Sequence, residues 1–90
     1  MTKHALTTDW KSIIEARDEV HEVVISVGVF STIGNVAYIS VGRHKDIDII
    51  LSSYTTFGFL LTVPRDVVVY AKCNSGTAEL ATFEGHIERI

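Results

Sequence analysis

The alternation of apolar and polar residues is clearest between Val20 and His44, in VHEVVISVGVF, STIGN and VAYISVGRH. Successive side chains of a strand point to opposite faces. In the first run Val23, Ile25, Val27 and Val29 therefore make one row, and Val24, Ser26, Gly28 and Phe30 the other. In the second, Ala37, Ile39 and Val41 oppose Val36, Tyr38, Ser40 and Gly42. Two β-branched runs around a polar, glycine-bearing connection predict a β-hairpin. The wholly aliphatic row, Val23 to Val29, is its expected core face.

Before the hairpin the period changes. Trp10, Ile13, Ile14 and Arg17 fall at i, i+3, i+4 and i+7, with Thr7 or Thr8 available as a cap and Asp9 in the first turn. That spacing predicts a short amphipathic helix over about 8–19, too short to stand without docking on a sheet. Residues 1–7 read as a flexible lead-in.

After the hairpin, Ile47 to Thr56 fits two patterns. Ile47, Ile50, Leu51 and Tyr54 have helical spacing, whereas Ile47, Ile49 and Leu51 alternate. Its Ile, Ser, Thr and Tyr content favours a strand. Phe57, Phe59, Leu61 and Val63 alternate up to Pro64, and Pro64-Arg65-Asp66 makes a turn. Val67 to Lys72 gives another strand, Cys73 to Gly76 another turn with Gly76 or Asn74 free to take positive φ, and Thr77 to Arg89 a long last strand. One helix followed by five or six strands on short turns predicts an α+β fold. The expected form is a single domain, 1–90, with an N-terminal helix packed on a curled antiparallel meander or small half-open barrel. The first and last strands, neither blunted by proline, are its expected edges.

Composition narrows the function classes. A chain of 90 residues is the size of one domain and hides about 64 % of its unfolded surface, enough for one small core. The apolar share is 47 % and the charged share only 21 %, which leaves apolar surface hard to hide and points to self-association. Eight basic residues, scattered against 11 acidic ones, cannot follow a tract of phosphates, so no nucleic-acid partner is expected. The single cysteine, Cys73, allows no internal disulfide and suggests a reducing compartment. Without an apolar leader or a long apolar run, a cytoplasmic protein with no membrane span is expected.

Candidate chemistry is sparse. Glu84, His86 and Glu88 alternate on the last strand, where such a triplet could hold a divalent metal or pass a proton; a solvated strand face carries the same residues. His44, Asp46 and Asp48 sit among Arg43 and Lys45, the composition of a charged turn. Cys73 follows Lys72, but neighbours on a strand face opposite ways, so the lysine cannot activate the thiol. The hydroxyl run from Ser52 to Thr56 lacks a base, and no glycine cluster cradles a phosphate. No cofactor is implied.

The expected function is therefore binding rather than catalysis. The leading expectation is a homo-oligomer, or a complex with another protein, using the second rows of the hairpin, namely Val24, Phe30, Val36 and Tyr38. The alternatives are an apolar small-molecule pocket with Tyr38, Tyr54 and Tyr70 as polar handles, and an enzyme or metal site at Glu84, His86 and Glu88.

Overall fold

A computed structural model describes residues 1–31, 34–52 and 58–84. Eight strands run through them: β1 (Thr2–Leu6), β2 (Lys11–Ile14), β3 (His21–Phe30), β4 (Val36–Val41), β5 (Ile49–Ser52), β6 (Phe59–Val63), β7 (Val69–Cys73) and β8 (Ala78–Glu84). They form two four-stranded antiparallel sheets: sheet I in the order β1-β8-β3-β6, sheet II in the order β2-β7-β4-β5. Four pairings nest, β1 with β8, β2 with β7, β3 with β6 and β4 with β5. The chain is in effect one long hairpin doubled over, and β3–β8 and β4–β7 pairing completes each sheet. This is the connectivity of an eight-stranded jelly roll, two Greek keys in a two-sheet sandwich.

The α+β expectation fails, because the described residues contain no helix. Consequently none is long and apolar enough to cross a membrane. The segment read as a helix is β2 with irregular flanks. Its register against β7 slips between Ser12 and Ile14, so that Ile13 and Ile14 both turn inward. A bulge in a strand inserts one residue and interrupts the period of two. Here it converts strand alternation into the i, i+3, i+4 spacing of a helix.

Four further expectations change. Residues 1–7 are not a loose lead-in but hold β1, with Leu6 fully buried. The hairpin is not one, since β3 and β4 lie in different sheets and each is flanked by strands distant in sequence. Nor is the sheet a meander or half-open barrel, for only β4 and β5 are neighbours both in sequence and in a sheet. The last strand, expected at an edge, is central between β1 and β3. The true edges are β1 and β6 in sheet I and β2 and β5 in sheet II. All four are five residues or fewer, and short edge strands are a common way of discouraging edge pairing.

One core joins the sheets. Leu6, Val23, Ile25, Val63, Ala78 and Leu80 from sheet I meet Ile13, Ile14, Ala37, Ile39, Leu51, Val69, Ala71 and Cys73 from sheet II. At roughly 1.5–3 kcal/mol per large aliphatic side chain, this burial is the main favourable term. Hydrogen bonds close one end of the sandwich. Buried Asn35 donates to the Ser75 carbonyl at 2.7 Å and accepts from Ser75 Oγ at 2.9 Å. Ser31 N donates to the Thr77 carbonyl at 3.0 Å, and Thr77 N returns a bond to Ser31 Oγ at 2.9 Å. Gly76, at φ 63°, takes the positive value expected of this turn. At the other end Asp66 N donates to the Arg17 carbonyl at 2.7 Å.

Candidate interaction surfaces

The outward face of sheet I carries an apolar row across its strands. Val24 on β3 lies directly opposite Leu60 on β6 and Phe83 on β8. Leu60 is 45 % exposed and Phe83 39 %. Met1, one residue beyond the Thr2–Thr82 pair, extends the row past β1 and is also exposed. Cross-strand neighbours stand about 5 Å apart, so the row is a continuous strip. Beside it lie Ser26, Ala81 and Lys3 on one flank, and Glu22 and Thr62 on the other. Lys3 Nζ is 4.0 Å from a Glu79 carboxylate oxygen, a loose surface pair.

The outward face of sheet II is built differently. Tyr38 on β4 lies opposite Lys72 on β7 and Ile50 on β5. Lys72 Nζ stands 4.7 Å above the Trp10 ring, so Trp10, Lys72, Tyr38 and Ile50 line up across the sheet. The next row pairs Ser12 and Ser40 with Tyr70, and Lys45 Nζ lies 5.2 Å from the Tyr70 ring. Cations over aromatic faces are worth about 0.5–1 kcal/mol at exposed sites. Ile50 is 60 % exposed.

Of the four residues expected to form one interface, the structure brings only two together. Val24 faces outward on sheet I, whereas Val36 and Tyr38 face outward on sheet II, on the opposite side of the molecule. Phe30 packs against the core. The reason lies in the β3–β8 register, which slips between Val27 and Phe30. A Cβ at Gly28 would come within 2.8 Å of the Glu79 carbonyl oxygen, so this close approach requires glycine. Past the slip the rows exchange, leaving Val29 73 % exposed and Phe30 turned in. Leu60 and Phe83, which complete the sheet I strip, were not anticipated. Their alternation is plain, but which strands flank Val24 is a property of the rolled topology.

The weaker candidates fall as follows. On β8 the row that contains Glu84 also contains Ala78, Leu80 and Thr82, and these three face the core. The Glu84 side chain and the whole of His86 and Glu88 lie outside the described residues. His44 Nε2 and Asp48 Oδ2 come within 3.5 Å, and Asp48 also accepts a 2.7 Å bond from Val41 N, so this cluster shapes the β4–β5 turn. Cys73 is buried, its thiol 3.3 Å from the Gly76 carbonyl it donates to, on the opposite side of the sheet from Lys72. No group of three or more His, Cys, Asp or Glu converges on a metal-sized site among the described residues.

A cavity of about 550 Å³ opens between the sheets at the end away from Asn35. Ile13, Ile14 and Val23 line it together with Met1 and Phe83, the end of the sheet I strip, and with Thr2, Thr82, Glu15 and Arg17 as polar groups. Tyr38 and Tyr70, expected as handles, are on the outer face of sheet II, and Tyr54 lies outside the described residues. Two histidines point inward. His4 Nε2 is 2.9 Å from Thr82 Oγ1, and burial, followed by the Lys11 charge, lowers its pKa from the ordinary 6.5. Both ring nitrogens of His21 are buried with no hydrogen-bond partner among the described residues. Comparison with protein families, curated proteins and solved structures returns no match for this chain.

Proposed function

We propose that this protein acts by self-association, with the outward strip of sheet I as a contact surface. The observation that carries the reading is the row Phe83, Val24 and Leu60, extended by Met1, which lies across a four-stranded face and remains open to solvent. Contiguous apolar strips with polar flanks mark interaction sites more often than scattered exposed residues do. The face is also large enough. The molecule extends 38 × 31 × 19 Å, and its broad side accommodates the roughly 800 Å² per partner of a standard interface. A cytoplasmic, reducing setting fits a chain whose single cysteine is a buried free thiol. Light scattering behind a sizing column at micromolar concentration tests the reading. Wild type is expected above 10.0 kDa and Leu60→Asp at 10.0 kDa with an unchanged circular dichroism spectrum. A wild type that stays at 10.0 kDa at 100-fold higher concentration overturns it.

The cavity favours a second reading, the binding of a small ligand with an apolar body and a polar end. Its volume falls in the range of ligand sites, and Ile13, Ile14 and Val23 line it beside Thr82, Glu15 and Arg17. Thermal stabilisation by short-chain fatty acids, abolished in Ile14→Trp, supports this reading. No shift across such a panel removes it.

A further inference from the structure

Resting on the second reading above, that the cavity takes a small ligand, we infer that the polar end it receives is an uncharged hydroxyl held by Thr82. The ligand is then a short aliphatic alcohol rather than a carboxylate. Thr82 on β8 lines the cavity and is 8 % exposed. His4 on β1 does not line it, is 9 % exposed, and places Nε2 2.9 Å from Thr82 Oγ1. Among the described residues no other side chain bonds to that hydroxyl. A hydroxyl has one donor and two acceptor places, so Thr82 keeps hydrogen-bonding capacity for a ligand after His4 has taken one. Two polar side chains, each more than nine-tenths buried, thus meet beside Ile13, Ile14 and Val23.

Charge argues against an ionic end. The lining residues Glu15 and Arg17 are of opposite sign and both are engaged, Glu15 accepting from Ser12 Oγ at 3.4 Å and Arg17 through an interaction of its own. Lys11 does not line the cavity and donates to the Ala5 carbonyl at 3.3 Å. His4 stays uncharged at neutral pH, since burial, followed by the Lys11 charge, lowers its pKa. A carboxylate drawn in beside the aliphatic side chains would leave water with no counter-charge reserved for it, and burying an unpaired charge is costly. Hydrogen bonding favours a hydroxyl for a separate reason. A neutral imidazole presents at Nε2 either a lone pair or an N–H. In the first case Thr82 donates to His4 and offers the ligand its lone pairs; in the second it accepts from His4 and offers its own O–H. An alcohol both donates and accepts, so it matches either arrangement, whereas a carboxylate matches only the second.

Paired titrations with 1-hexanol and hexanoate at pH 7.5, followed by the backbone amide signals of Ile14 and Thr82, test this. The two probes share a chain length and differ in the polar end. The wild type is expected to bind 1-hexanol at least tenfold more tightly than hexanoate, and Ile14→Trp, which fills the cavity, to bind neither. Thr82→Val keeps the shape of the side chain and removes its hydroxyl, so it should weaken 1-hexanol at least fivefold, and Thr82→Ser should stay within twofold of the wild type. Hexanoate binding as tightly as 1-hexanol, or more so, overturns the inference and leaves the ligand reading standing. So does a folded Thr82→Val chain that binds 1-hexanol like the wild type. Binding of neither probe removes both. Should Thr82→Val fail to fold, the comparison of the two probes on the wild type decides alone.

Discussion

Replacing Leu6 by alanine tests whether the first residues belong to the fold. Leu6 has no exposed surface and sits in β1, whose only sheet neighbour is β8. Leu→Ala at a closed core site removes the transfer energy of the lost carbons and leaves part of a cavity, about 3 kcal/mol. A 90-residue domain has a total stability of roughly 5–13 kcal/mol. Its unfolding entropy is about 190 cal/mol/K, so each kcal/mol moves the midpoint by about 5 °C, and Leu6→Ala should lower it by about 16 °C. Lys3→Ala on the same strand is the control. Lys3 is exposed and loosely paired with Glu79, so its removal should move the midpoint by less than about 3 °C. Circular dichroism melts and urea titrations should be run dilute enough to keep the chain monomeric, since association adds its own stabilisation. If Leu6→Ala shifts the midpoint no more than Lys3→Ala does, β1 does not pack on the core and the eight-stranded reading is wrong.

Other expectations follow from buried polar groups. Because His4 has a folded-state pKa below 6.5, the folded chain binds fewer protons than the unfolded chain in the window beneath that value. Stability should therefore be full above pH 6.5 and decline as the pH falls toward the lowered pKa; urea midpoints at pH 7.5 and 5 measure this, and a His4→Phe chain should lose that part of the slope. Asn35→Ala strips two hydrogen bonds from a buried site and leaves Ser75 unpaired, for a loss of about 1–3 kcal/mol read by urea unfolding. His21→Phe keeps a ring of similar shape and removes two unpartnered buried nitrogens, so it should leave stability unchanged or raise it by about 1 kcal/mol, and a clear loss would mean that His21 has a partner in solution. Gly28→Ala would press a methyl group onto the Glu79 carbonyl oxygen and should cost about 1–3 kcal/mol in the same assay.

From β3 onward the strands are legible in the sequence, whereas β1, β2 and the arrangement of the strands are not. Val23 and Ile25, Ala37 and Ile39, and Leu61 and Val63 all occupy the inward rows that alternation assigns them. Ile49 to Ser52 is a strand, as its β-branched content suggested. Alternation misled where the backbone departs from regular pleating, at the bulge that turns in both Ile13 and Ile14 and at the slip that exchanges Val29 and Phe30. Pairing was beyond reach for another reason. Nothing local to Val24 states that Leu60 and Phe83 will stand beside it, because those contacts close loops of tens of residues. The candidate site inherits this limit. Tyr38 and Val24 make one surface only if β3 and β4 are neighbours in one sheet, and they are not.

The nested pairing also constrains how the chain is made. Thr2 finds its partner in Thr82, so β1 leaves the ribosome long before the strand that will hold it. At roughly 5–20 residues per second, that wait is about 4–16 s. Until β6 and β7 emerge, β3 and β2 too lack these partners, and the aliphatic rows of the first half have nothing to pack on. The innermost pair, β4 with β5, is the first that can form, and pairing can then spread outward as β6, β7 and β8 emerge in turn. Translation thus delivers the sandwich from its middle outward, and the stretch from Val20 to Phe30 is the part a nascent-chain chaperone would meet.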